Sequence, residues 1–192
     1  MASLIVVPVA IAASSPYLPS RNAAYVVAGF AGIVCLGLFL LQPLLGAGYL
    51  PGVQPWQARK WHRFLGTGIA LCVALHVGGL YLTSPPDTMD ALVLASPTPF
   101  SVFGVTAMWG IILTLMLVAG RRRLGLRYPA WHVVHNLLAL IVVTSTVIHA
   151  VQIDGTMGTV SKWVLCVAVL AATCTALVDV RLLRRRRATN IG

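Results

Sequence analysis

Apolar residues in this chain run in long unbroken blocks, without the period-two alternation of a half-buried strand. Five blocks, residues 23–45, 61–83, 99–120, 130–152 and 163–180, are each close to the roughly 20 residues that an α-helix needs to cross the hydrocarbon layer of a bilayer. A sixth, residues 4–18, is shorter and broken by Pro8 and Pro16. It suits a short helix, an interfacial segment or a signal-peptide core. No Lys or Arg precedes it, which argues against the signal peptide. The expected fold is all-α, an integral membrane helical bundle of six transmembrane helices, or five if the first segment does not span. Short loops rich in Gly and Pro (46–60, 84–98, 121–129, 153–162) leave no room for a second folded unit, so residues 1–192 read as one transmembrane domain.

Composition narrows the class further. Of the 192 residues, 58% are hydrophobic and 9% charged, against about 25% charged in a soluble domain, which excludes a water-exposed globule. Fourteen Lys and Arg face four Asp and Glu, but no polar surface exists on which a nucleic-acid patch could be displayed. Cys35, Cys72, Cys166 and Cys174 form no CxxC pair and read as small buried hydrophobes. Basic residues mark orientation. If every long block crosses once, Arg59, Lys60, Arg63, Arg121, Arg122, Arg123, Arg127, Arg181, Arg184, Arg185, Arg186 and Arg187 share one side, and only Arg21 and Lys162 reach the other. Such a bias places the C-terminus in the cytoplasm. The expected location is a bacterial inner (plasma) membrane. Trp56 and Trp61 then sit where interfacial anchors belong, and the closing arginines read first as a topology signal, with anionic lipid as a further contact.

All five histidines lie in the second and fourth long blocks. Ionisable groups at membrane depth are costly and usually functional. His62 and His76 are fourteen residues apart, as are His135 and His149. That spacing is about 21 Å of helix rise, and fourteen steps of ~100° fall only about 40° short of four turns. Each helix thus presents two imidazoles on one face, and because both helices run from the basic side outward, His62 matches His135 in depth and His76 matches His149. Zinc takes three or four protein ligands at one place. A haem brings four nitrogens of its own and is completed by two imidazoles, so two levels of paired histidines predict two stacked haems. No CxxCH attachment motif occurs, which makes them b-type. His132 is the competing ligand in the fourth block, but with His149 it makes a spacing of seventeen, about 100° apart on the helix. Its expected place is the interface, near a haem propionate. Gly66, Gly78 and Gly79 would let either a macrocycle or a neighbouring helix come close.

The stretch Arg59-Lys60-Trp61-His62-Arg63-Phe64-Leu65-Gly66, with Leu75-His76-Val77, Arg123-Leu124-Gly125-Leu126, Trp131-His132-Val133-Val134-His135 and Ile148-His149, resembles the ferric reductase-like transmembrane domain superfamily. That superfamily includes ferric reductases, NADPH oxidases and the haem-binding membrane subunit of the bacterial methionine sulfoxide reductase system. The resemblance covers roughly residues 20–180. It implies six helices around two stacked haem b groups, with His62 and His76 on the third helix and His135 and His149 on the fifth, and it makes residues 4–18 the first helix. Relatives of the ferric reductase and NADPH oxidase type continue into a flavin- and nicotinamide-binding domain. Here eleven residues follow Arg181 and no GxGxxG occurs, so a separate cytoplasmic flavoprotein is the expected donor.

With both axial positions filled there is no open site for substrate, and the natural task is electron transfer. The leading expectation is an oxidoreductase component that carries electrons from that flavoprotein to an extracytoplasmic acceptor or redox partner. The alternatives are a quinol-linked cytochrome b subunit and a non-redox membrane scaffold in a larger complex. Among the basic residues, Arg59, Arg63 and Arg123 are the expected propionate contacts, and a quinone or flavin at the cytoplasmic face is a further cofactor expectation. The remaining positive charge would steer an acidic donor.

Overall fold

Prolines and capping residues decide where the helices begin. The computed structural model describes the backbone of residues 2–189 and the side chains of residues 2–179; the Arg181 and Arg184, Arg185, Arg186 and Arg187 side chains lie outside that range. Seven α-helices occur among the described residues: α1 Ala2–Ala13, α2 Ala23–Ala47, α3 Pro55–Thr83, α4 Pro85–Leu92, α5 Pro99–Gly120, α6 Tyr128–Gln152 and α7 Thr159–Thr189. Asn22 caps α2 by accepting the Ala24 N–H at 2.8 Å, and Gly48, in the left-handed conformation at φ 76°, closes it. At the head of α3, Gln54 and Gln57 form a capping box and Pro55 takes the first turn, where a missing N–H costs nothing.

These caps shift several boundaries away from the apolar blocks. α3 starts at Pro55 where the block begins at Trp61, α6 starts at Tyr128, and α7 runs from Thr159 to Thr189, past both ends of the block at 163–180. The short α4 forms in the segment expected to be loop, because Pro85 and Pro86 open a helical turn after Ser84, whose hydroxyl donates to Asp87 at 2.6 Å. The largest correction concerns residues 4–18. The helix ends at Ala13, followed by a turn and a 3-10 segment at Leu18–Ser20, since Pro16 disfavours helical backbone in the residue before it.

Five helices, α2, α3, α5, α6 and α7, are long and apolar enough to cross a membrane. α1, at 12 residues, is about 18 Å long, well short of the ~30 Å hydrocarbon core. It lies against α2 and α7, with Ile5 at Gly37 in mid-α2 and Ile11 beside Gly158.

The core runs along α2 and α7, where Leu36, Phe39, Leu40, Leu165, Cys166 and Val169 are buried. Cys35 is buried too, Cys72 is half-buried and Cys174 is exposed, so the reading of all four cysteines as buried fails at Cys174; all are free thiols. Taken by contact, α3, α2, α7, α6 and α5 form an arc whose ends, α3 and α5, touch only slightly. α3 and α6 do not pack closely on each other. Within the arc, α7 is fastened at both its ends to its neighbours. At one, the Tyr49 hydroxyl donates to the Asp179 carboxylate, which holds the Tyr49 phenol above its usual range. At the other, the buried Lys162 ammonium donates to the carbonyls of Val151 at 3.2 Å and Ile153 at 2.7 Å, a cation on the orphan carbonyls of the α6 C-terminus.

Candidate haem-binding site

The helical register that puts two histidines on one face of α3 and two on one face of α6 brings the four together as expected. The His62 and His135 ring centroids are 6.2 Å apart with planes at 65°. Those of His76 and His149 are 6.3 Å apart at 85°. A metal–imidazole bond of about 2.0 Å plus roughly 1.1 Å from nitrogen to ring centre puts two imidazoles on opposite sides of one metal about 6.2 Å apart, centre to centre. Both pairs match that span. Among the described residues no three His, Cys, Asp or Glu side chains gather as a metal site, so each level offers two donors, a set that a macrocycle completes and a bare ion does not.

Three of the four rings are held from behind by backbone. His62 Nδ1 lies 3.0 Å from the Gln42 carbonyl, His76 Nδ1 2.8 Å from the Ala28 carbonyl, and His149 Nδ1 2.8 Å from the Phe100 carbonyl. A carbonyl only accepts, so in each ring Nδ1 carries the proton and donates it, leaving the Nε2 lone pair for a ligand. This outer contact is the one that commonly orients a metal-binding histidine. Each such hydrogen bond contributes about 1 kcal/mol net, little for the fold, yet about 1.4 kcal/mol shifts a population tenfold, enough to favour one ring orientation.

A glycine stands beside each held ring. A Cβ at Gly104 would lie 2.7 Å from His149 Cε1, one at Gly32 would lie 3.2 Å from His76 Nδ1, and one at Gly46 would lie 3.5 Å from His62. The sequence held a signal for the first two on α2, since Gly32 and Gly46 repeat the fourteen-residue spacing of the histidines, but nothing in it said that α2 lies against α3. Of the glycines singled out in the sequence, two let the neighbouring helix come close. Gly79 lets α3 meet the Ala24 carbonyl and Ala28, and Gly66 admits the Gln42 amide, which donates to the His62 carbonyl at 3.1 Å. Gly78 faces open space.

His135 is the exception. Its Nδ1 is buried and has no hydrogen-bond partner, and its ring lies flat on Trp131, 5.1 Å away at 7°. The Arg121 guanidinium covers Trp131 at 4.8 Å and Tyr128 at 5.5 Å. His132 joins this aromatic group, edge-on to Tyr128 at 4.3 Å and to Trp131 at 4.9 Å, outside both facing pairs. Arg59, Arg63 and Arg123 are exposed at the same end of the bundle as His62 and His135. Trp131 and Arg121 were not among the expected site residues; their part depends on the one-turn step from Trp131 to His135.

An all-helical bundle with five apolar membrane-length helices is an integral membrane protein, and this one pairs histidines across its interior. Residues 28–146 match the family described as ferric reductase like transmembrane component. The chain belongs to that family, and with that membership it is a membrane electron-transfer component. Domains of the family commonly bind haem. The matched stretch contains His62, His76, His132 and His135 and ends three residues before His149. No curated protein and no solved structure matches the chain.

Proposed function

We propose that the chain carries electrons across the membrane on two b-type haems, one held by His62 and His135 and the other by His76 and His149. The observation that carries this reading is the pair of imidazole spans, 6.2 and 6.3 Å, between two helices that do not otherwise pack closely. Haem supplies a one-electron iron couple that, with an imidazole on each side, passes electrons without binding a substrate. α3 and α6 hold the four ligands, α2 and α5 orient three of them through the Gln42, Ala28 and Phe100 carbonyls, and α1 takes the first place in a six-helix arrangement.

In this reading the basic end, with the C-terminus, faces the cytoplasm. Arg59, Arg63, Arg123 and His132 hold propionates there, and the exposed arginines draw in a separate acidic flavoprotein. Electrons leave toward an acceptor on the opposite side, where charge is sparse.

An optical spectrum of the purified chain with a pyridine haemochrome count should show two b-type haems per chain. In vesicles of known orientation, reduction should be fastest from the C-terminal side and should slow as salt rises. Equal rates from both sides, or full-speed reduction by quinol alone, would replace the flavoprotein by the quinone pool, and a chain purified without haem would leave only a scaffold role.

A further inference from the structure

We propose that Gly32 and Gly104 are positioning residues, each baring the carbonyl four residues earlier so that it locks an imidazole, that Gly46 repeats the arrangement at a looser clearance, and that the inner pair lacks the fourth lock because Val118 stands where such a glycine would be. The inference rests on the two-haem reading. Its physical basis is the tilt of the helical Cα–Cβ bond toward the N-terminus, which makes residue i+4 overhang the turn that contains carbonyl i. With no Cβ there, the carbonyl's second lone pair is open to a ring arriving from the next helix.

The pattern recurs three times. Ala28 precedes Gly32 and holds His76, Gln42 precedes Gly46 and holds His62, and Phe100 precedes Gly104 and holds His149. On α2 and α3 the two contacts are fourteen residues apart on each helix, as antiparallel register requires. The same step taken from Phe100 and His149 puts Thr114 of α5 opposite His135 of α6. The register persists between these points, since Gly110 admits Val142, whose Cγ2 would stand 2.5 Å from a Cβ there. The residue four beyond Thr114 is Val118. By the same tilt, a side chain at that position lies over the carbonyl that the repeat would offer, and His135 is the ring whose buried Nδ1 has no partner.

A carbonyl that accepts the Nδ1 proton raises the basicity of the ring as a metal ligand, which favours the ferric state and lowers the midpoint potential. Removing a lock should therefore raise the potential of that haem. The clearances grade the test. In the full chain, Gly104→Ala should loosen or empty the outer haem and raise the potential of whatever remains, Gly32→Ala should raise the same potential by less, and Gly46→Ala should change the inner haem little. Gly29→Ala, with nothing within 4 Å, should change nothing. Val118→Gly should lower the inner potential. The readouts are an optical redox titration and the haem count. If Gly104→Ala fails to fold, Gly32→Ala carries the outer-site test. A flat series in a chain with two haems, or a larger effect at Gly46 or Gly29 than at Gly32, overturns the locks while sparing the two-haem reading. An unchanged potential in Val118→Gly overturns the missing fourth lock. A parent chain without haem overturns both.

Discussion

The two histidine pairs have nearly the same span and opposite surroundings. At the outer pair, both rings donate to helix carbonyls, both lie against a glycine, and the nearest end of the bundle keeps its one lysine buried on the α6 terminus. At the inner pair only His62 is held this way. His135 leans on Trp131, which is itself covered by Arg121, beside a row of exposed arginines. The outer pair is oriented by backbone, which changes only if helices move, whereas half of the inner pair is oriented by side chains near the surface. Backbone fixing suits a rigid carrier, and a side-chain stack beneath a charged surface suits a site that meets a partner.

The largest test of that contrast removes a ring. His149→Ala or His76→Ala should halve the haem count and leave the inner spectrum in place; losing both haems together would mean that the two sites are not independent. A smaller effect is expected when the stack is taken away. Trp131→Leu removes an aromatic contact worth about 0.5–1.5 kcal/mol, up to roughly a tenfold loss in inner-haem retention, and should leave the outer haem untouched. Equal losses at both levels would break the comparison.

Charge at the two ends can be compared in the same way. Replacing Arg121, Arg122 and Arg123 by Gln should slow reduction by an acidic donor about tenfold at low salt and flatten its salt dependence, measured by stopped-flow absorbance. Lys162→Met, at the other end, should leave reduction rates alone and lower stability by about 1–3 kcal/mol, since it uncaps two carbonyls; a thermal melt followed by the haem band would show it. The smallest effect is assigned to His132. His132→Ala should keep both haems, and a site emptied as fully as by His135→Ala would make His132 the ligand.

Local rules carried much of this molecule. Five membrane-length helices follow from apolar length, which is a property of each segment alone. The matched depth of His62 with His135 and of His76 with His149 follows from the helical period and from the alternation of crossings, neither of which needs to know which helices touch. Boundaries moved where caps at Gln54 and Arg127 competed with hydropathy, while α5 kept the bounds of its apolar block, and the first segment stopped at Ala13, where Pro16 outweighed an apolar run. What the tertiary structure alone decided is which helix lies behind each histidine. Ala28 and His76 are 48 residues apart, and Phe100 and His149 are 49. Each contact depends on α2 packing on α3 and α5 on α6, with a glycine meeting a ring at the right height. Helix pairing is set by the summed fit of whole surfaces, so neither the carbonyl locks nor the missing one at Val118 is written in any single segment.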